Sequence, residues 1–375
     1  MSRVRRVLVV GAGISGMSLA AALKNSGTYL DIVEKQPGWD VLGVGISLQG
    51  PALRALNVIG LLDDCIQGGF GYSKLVNCDE HGRVAGVVDL PRLNGPHYPS
   101  CVGIMRPALH RILGSALVQA GVSVQFGLTV NSINQSTDHV HVVLSDGTRG
   151  EYDLVVGADG ASSRIRELLF GSEYKPQYTG QAVWRAMVPR PQAVTARHAY
   201  YGPRCKAGFN PVSKQEMYIY LVQNVTGDPR LEPERWPPVM RDLLADFGGH
   251  IAEVRDCITD FQRIVYRPVG SLLLPSPWYI GRVLVIGDAA HTSPPHLASG
   301  ATIAIEDAIV LSELIEAGVP IPEALDKFMK RRFDRCRIVV DNSRQLGEWE
   351  KFPDTPGADP TALIAESMKA LAAPI

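Results

Sequence analysis

VLVVGAGISG, running from Val7 to Gly16, decides the fold. Val7–Val10 carries no polar residue and reads as a fully buried strand. Gly11-Ala12-Gly13-Ile14-Ser15-Gly16 then gives GxGxxG directly before an alanine- and leucine-rich stretch, so the motif sits between a strand and a helix, the context that gives it meaning. Gly11 permits a tight turn, Gly13 lets backbone N–H groups approach a pyrophosphate, and Gly16 lets helix and strand pack closely. The phosphates would sit at the positive end of the helix, beside Ile14 and Ser15. The helix is expected over Ser15–Ser26, closed by Gly27, with the next strand over Leu30–Glu34. Glu34, followed by Lys35, ends that strand where a carboxylate accepts from ribose hydroxyls and repels a 2′-phosphate. FAD or NAD fits such a site; NADP does not.

Two further segments repeat the pattern of an apolar strand entering a polar, glycine-bearing turn. They are LVVGADG, Leu154–Gly160, and VLVIGDAAH, Val283–His291. Any one of the three could be a plain βα turn. In this order and spacing they point to FAD.

Bulk properties narrow the field. A chain of 375 residues buries a large core in one or two interlocked domains. Net charge is −1 and no long basic run occurs, so nucleic acid has no electrostatic footprint. The six cysteines lie far apart with no CxxC pair, which suits reduced thiols better than a disulfide frame or a metal site. Arg3, Arg5 and Arg6 before an apolar stretch superficially resemble a secretory signal, but the glycines and Lys24 argue against it. No apolar run reaches the ~18 residues that span a bilayer. A soluble, cytoplasmic protein without membrane partners is expected.

Gly38–Gly50 reads as a glycine-rich loop, with a helix over Pro51–Ile59. Leu75–Asn77 and Val84–Asp89 form a hairpin, and Met105–Ala120 a helix with Pro107 in its first turn. Val122–Phe126, His139–Leu144 and Tyr152–Val156 are expected as strands. From about Gln181 to Tyr266, alternating segments such as Ala182–Val188 and Met217–Val222 suggest an antiparallel sheet, with a helix over Trp236–Phe247. Buried-strand character returns at Val283–Ile286, and Thr302–Ala317 and Pro322–Leu346 are long helices. Thr361–Ala372 is an amphipathic stretch expected to pack on the body. The fold class is α/β: a Rossmann-like FAD-binding domain (1–72, 101–180 and 266–345), an inserted antiparallel-sheet substrate domain (73–100 and 181–265), and a helical tail (346–375).

The set GxGxxG, Gly157-Ala158-Asp159-Gly160 and Gly287-Asp288-Ala289-Ala290-His291 resembles the single-component flavoprotein monooxygenases of the para-hydroxybenzoate hydroxylase type, over about 5–345. Within that family the chain resembles the 6-hydroxynicotinate 3-monooxygenases and 3-hydroxybenzoate 6-hydroxylase-like enzymes. The resemblance implies that Asp159 and Arg164 mark the pyrophosphate and nicotinamide-donor region, and that Asp288 hydrogen-bonds the ribityl chain. Asp288 as a simple helix N-cap is the bland alternative. Gly43–Ser47 resembles the family's loop lining the flavin, with Gly45, Ile46 and Ser47 as contacts; Arg106 matches a cofactor-contacting arginine, and Val130 falls near the adenosine end. A helix starting near Thr302, preceded by Gly300 and Ala301, would aim its N-terminus at the flavin's pyrimidine edge. Many relatives carry Gln where Ser299 stands here.

His296 resembles a substrate-facing histidine of the 6-hydroxynicotinate branch, and an imidazole there would take a phenolic proton. A second histidine of that branch is replaced by Ser47, which argues against identical substrate chemistry. Tyr218 is the alternative base. Trp184, Arg185, Tyr200, Tyr201, Phe209, Asn210, Tyr220 and Pro295 are candidate substrate contacts; Tyr218 and Tyr220, two apart, share a strand face. The implied activity is hydroxylation of a small aromatic or heteroaromatic compound with NAD(P)H and O2 through a C4a-hydroperoxyflavin, with no metal. One GxGxxG alone implies that NADH or NADPH docks transiently. A flavin-dependent reductase or dehydrogenase on the same fold, or a monooxygenase of larger polycyclic or isoprenoid compounds, stays open, as does monomer against homodimer.

Overall fold

The computed structural model describes residues 4–39, 43–202, 205–227 and 230–375. Arg3 and positions 40–42 of the expected glycine loop lie outside them. Strand Arg6–Val10, with Val7 to Val10 all buried, occupies the interior of a six-stranded sheet. Its neighbours are Leu154–Gly157 and Tyr29–Glu34, both parallel to it, and Val283–Val285 adds in parallel beside Leu154–Gly157. Val124–Phe126 and the antiparallel Tyr279–Ile280 close the edges. Parallel strands buried on both faces read as continuous aliphatic runs, the signature of all three motifs. The pairing brings the three motif turns side by side: Gly11 N–H donates to Val33 O, Ala158 N–H to Val10 O, and Ile286 N–H to Gly157 O, all at 2.8–2.9 Å.

The second large sheet has seven strands, in the order Ile264–Ser271, Gln177–Pro189, Glu216–Asn224, Lys206–Pro211, Arg197–Tyr201, Lys74–Asp79 and Val84–Asp89. All neighbours are antiparallel except Arg197–Tyr201 beside Lys74–Asp79. Helices Trp236–Leu243 and Gly249–Arg255 cover its outer face. Its inner face turns toward the nucleotide-type sheet.

Several elements depart from the sequence expectations. The glycine loop contains a strand, Gly45–Gln49, paired with Cys101–Met105. Tyr152–Val156 is two strands, Arg149–Tyr152 and Leu154–Gly157, because Asp153 between them accepts the Arg5 and Arg6 amides at 2.7 and 2.8 Å and redirects the chain from one sheet to the other. Val130 opens an unexpected strand, Val130–Gln135, and is buried in the core. Helix Gly300–Glu316 starts two residues early, and Ile321–Lys351 runs on past the expected break at 345. Helix Pro360–Ala372 packs on the body: Arg54 and Arg335 donate to the carbonyls of Ala372 and Leu371, at 2.8 and 2.6 Å. No helix among the described residues is long and apolar enough to cross a membrane.

Candidate functional site

The first turn is built for close approach. Gly11 has φ +105°, and a Cβ there would lie 2.5 Å from Ala158 O. A Cβ on Gly16 would lie 2.0 Å from Gly11 O, so any side chain separates the helix from the turn. Gly13 is the opposite case: a Cβ would meet nothing within 4 Å, leaving backbone facing open space. Gly13 also starts helix Ile14–Leu23 without a side-chain cap, so its first amides are free for an anion. Glu34 spans the turn, accepting the Ala12 amide on Oε2 and the Gln36 amide on Oε1, both at 2.9 Å. Lys35 is exposed; Ile14 is half-buried and Ser15 buried. The third motif comes into contact here, since a Cβ on Gly287 (φ +62°) would lie 2.1 Å from Ser15 Oγ. An open glycine cradle, an uncapped helix end and a fixed carboxylate fit the pyrophosphate and ribose of FAD.

In the second motif Asp159 caps the next helix. Its carboxylate accepts Ser163 Oγ at 2.5 Å and the Arg164 and Ile165 amides at 2.7 and 3.1 Å, while burial pushes its pKa up. Arg164 is half-buried and pairs with Glu167 at 2.9 Å. The sequence reading missed Arg166, which is buried and donates to Ala161, Tyr174 and Ala289 carbonyls at 2.7, 2.7 and 2.9 Å. It ties the second motif to the third.

Asp288 lies in a recess, where solvent still reaches its carboxylate. The surrounding protein pushes its pKa up, against the pull of His291 and Arg106. Behind it is a fully buried charge cluster. Asp307 Oδ2 accepts the Gly287 amide at 3.0 Å and lies 2.6 Å from His291 Nε2; Oδ1 accepts Arg332 Nε at 2.8 Å. Arg332 also donates to Glu306 and to Ile303 O, each at 3.0 Å. Burial opposes the His291 charge, but Cys336 and Asp307 outweigh it and hold its pKa well above the ordinary imidazole range. Burial likewise opposes the Asp307 charge, yet His291 and Arg332 keep its pKa below the usual carboxylate range. The turn presenting Asp288 is thus anchored to both long helices.

Arg106 begins helix Arg106–Gln119, and its amide donates to Val44 O at 3.4 Å. Burial lowers its pKa, as do Arg185 and Arg267, with Asp288 pulling the other way. These arginines border a cleft of about 660 Å³ reaching Thr292 and Pro295.

Strand parity sorts the candidate substrate residues. Arg185 pairs with Tyr220, Asn210 with Tyr218, and Lys206 with Val222, so all project from the inner face. Trp184, Tyr200 and Phe209, expected at the substrate, point outward instead. Trp184 packs 4.2 Å from the Tyr266 ring, and Tyr200 and Phe209 join Phe247 in the core under the covering helices. They fill that core because alternate residues on a strand face opposite ways. Tyr201, on the inner face, lines an adjoining chamber and is half exposed.

The inner face closes a cavity of about 50 Å³ around Ser47, Asn210, Tyr218, Tyr220, Pro295 and His296. Gly45 makes room for it, since a Cβ there would lie 2.3 Å from the Tyr218 ring. Ile46 is half-buried alongside. Ser47 hydrogen-bonds Tyr72, whose hydroxyl also donates to Asn210 Oδ1 at 3.4 Å. Burial pushes the Tyr218 phenol up, which suits a proton donor better than the base expected from sequence. His296 is 2% exposed and its Nε2 lies 3.1 Å from Glu350 Oε2; Lys206 Nζ approaches the other Glu350 oxygen at 3.4 Å. Burial pushes Glu350 up, but His296 and Lys206 outweigh it and leave its pKa below the carboxylate range. Lys206, Glu350, Arg197, Tyr72 and Gln49 all escaped the sequence reading.

The segment carrying His296 is held in a particular shape. Pro295–Leu297 is a single 3₁₀ turn, and Ala298 has φ +50°, rarely adopted by a side-chain-bearing residue. Gln49 Nε2 and Ser299 Oγ both donate to Leu297 O, at 3.0 and 2.9 Å. Gln49 thus supplies, from a distant strand, an amide beside Ser299. Helix Gly300–Glu316 follows without a side-chain cap, with Gly300 and Ala301 half-buried and Thr302 buried at its start.

A family model described as an FAD binding domain matches residues 5–343. The 2-heptyl-3-hydroxy-4(1H)-quinolone synthase of Pseudomonas aeruginosa is 31% identical over 350 residues, covering 92% of this chain and 90% of that one. The 6-hydroxynicotinate 3-monooxygenase of Bordetella bronchiseptica is 29% identical over 327 residues, covering 83% and 82%. Among solved structures, Klebsiella pneumoniae HpxO complexed with FAD and uric acid superposes with a TM-score of 0.86 at 23% identity, covering 99% of this chain and 97% of that one. Matched in sequence and architecture over nearly its whole length, the chain belongs to the FAD-binding-domain family, as an FAD-dependent aromatic monooxygenase.

Proposed function

We propose that the protein hydroxylates an aromatic or heteroaromatic ring bearing a hydroxyl or ring N–H, with His296 as the base that accepts that proton. The carrying observation is the His296–Glu350–Lys206 chain, with the His296 side chain buried and the other two half-buried, opening on the cavity that Tyr218 and Asn210 share. FAD, when bound, supplies electron transfer from NAD(P)H and activation of O2 for delivery of one oxygen atom to the ring.

The chain's residues do the rest. Gly13, the first amides of helix Ile14–Leu23, Glu34, Arg106 and Asp288 would hold the dinucleotide, and the uncapped start of helix Gly300–Glu316 would stabilise negative charge on it. Proton transfer from the substrate to His296 Nδ1, the ring nitrogen left without a partner, raises electron density on the substrate ring, and Glu350, facing Nε2, stabilises the resulting imidazolium. Tyr218 and Asn210 orient the ring by hydrogen bonds. Arg185 has no carboxylate within 4 Å among the described residues and offers its charge to a substrate oxygen. A 6-hydroxynicotinate 3-monooxygenase and a 2-heptyl-3-hydroxy-4(1H)-quinolone synthase among the relatives support a nitrogen heterocycle or phenol as the class.

The test is a screen of phenols, pyridinols and quinolones with FAD-loaded protein, NADH or NADPH, and ¹⁸O2. A product carrying one labelled oxygen, formed with stimulated NAD(P)H oxidation, supports the reading. Hydrogen peroxide as the sole oxygen product from every ring compound favours a flavin reductase instead.

A further inference from the structure

The 50 Å³ cavity before His296 is not the whole site. Arg197, Lys206 and His296 line it and also a second chamber of about 330 Å³ on its far side. The first space alone would hold a few waters; with the second it enters the range of ligand pockets, about 300–1,000 Å³. The two differ in chemistry. Around the first cluster Ser47, Asn210, Tyr218, Arg185 and Glu350. Much of the second is walled by Pro51, Leu75, Leu90, Leu93, Ile364 and Met368.

One wall of the chamber is helix Pro360–Ala372. Thr361, Ile364, Ala365, Met368 and Ala372 all face it, at i, i+3, i+4, i+7 and i+11, so a whole helical stripe is turned toward it. The flank of the helix beside that stripe is fixed to the body through Ser367, which accepts from Asn342 at 2.8 Å, and buried Leu371. At the mouth stands the Val84–Asp89 strand, where Val88, 47% exposed, lines the chamber while Val87 lies on the other face of the strand. An exposed apolar lip leading into an apolar hollow is a route for an apolar group.

We infer that the chamber binds an aliphatic substituent of the substrate, so that the natural substrate is an aromatic ring carrying a hydrocarbon chain. The ring sits among Tyr218, Asn210 and His296, and the chain passes Arg197 and Lys206 toward Ile364 and Met368. This rests on the ring-hydroxylase reading for the position of the ring, not for the chemistry of the chamber.

The experiment measures binding, not turnover. FAD-loaded protein is titrated with 4-n-alkylphenols from methyl to octyl, following the flavin visible spectrum. Kd should fall about fourfold per methylene until the chamber is filled. Met368→Trp and Ile364→Trp, on a peripheral helix, should weaken octylphenol at least tenfold and leave methylphenol within twofold. Affinity independent of chain length, binding by no member of the series, or equal weakening of short and long phenols by the tryptophans would each overturn the inference. Length-dependent binding with no labelled product in the ¹⁸O2 assay would support the chamber while removing the hydroxylase reading.

Discussion

Replacing Arg332 by methionine keeps roughly the volume of the side chain and removes its charge. The guanidinium is 0% exposed and spans Asp307 and Glu306, also 0% exposed. Glu306 retains Arg335, at 2.7 Å. Asp307 keeps His291 on Oδ2 but no guanidinium on Oδ1, and Ile303 O loses its side-chain donor. Breaking one side of a buried ion pair costs about 3–5 kcal/mol, because the remaining charge stays out of water. At about 2.1 cal/mol/K of unfolding entropy per residue, 375 residues give about 0.8 kcal/mol/K. Arg332→Met should therefore lower Tm by about 4–6 °C in calorimetry at pH 7. Adding Asp307→Asn to Arg332→Met removes the half-compensated carboxylate, so the double variant should lose less than the two single losses combined. A single-variant shift below about 1 °C, or strict additivity, would refute a stranded-charge account of this cluster.

Three further outcomes are expected. Gly16→Ala, whose Cβ would lie 2.0 Å from Gly11 O, should weaken FAD retention about a hundredfold or more, read from flavin absorbance after gel filtration. In the pH dependence of Tm, the raised His291 contributes stability that is complete below its unfolded pKa near 6.5 and is lost as pH rises through the folded value. Asp307, being depressed, contributes above 3.8 and loses that contribution as pH falls through its folded value. The alkaline decline of Tm should therefore flatten in His291→Gln. Glu350→Gln should lower kcat by about 10–100-fold with the FAD content unchanged, since the carboxylate acts on His296 and not on the cofactor; an unchanged kcat would remove Glu350 from the proton path.

What the sequence displayed was whatever is encoded locally. Each motif is one strand and the turn after it, so aliphatic runs and glycine spacing sufficed to find the three turns, while the roles of Asp159 and Asp288 came only from the family resemblance. The parallel sheet followed, because fully buried strands have a distinctive composition. The substrate face was harder. Trp184 and Arg185 are neighbours in sequence and sit on opposite faces of one strand, and only the pairing with Glu216–Asn224 shows which faces inward. Lys206 and Glu350 come from separate segments, a strand and the end of a long helix, so no spacing rule joins them to His296. The strand within the Gly38–Gly50 stretch was hidden for the same reason: its partner, Cys101–Met105, lies far along the chain.

Glu306 has a consequence for altering substrate range. Both of its oxygens accept from Arg335, which also grips the carbonyls of Ala370 and Leu371, and Arg54 reaches it at 3.9 Å while clasping Ala372 O. A single carboxylate therefore rivets the helix behind the flavin turn to the panel that borders the chamber. Libraries aimed at new substrates can vary the panel's inward stripe freely, but they should spare both arginines. Changes to the inner rivet will register as altered selectivity, far from any residue that meets the substrate.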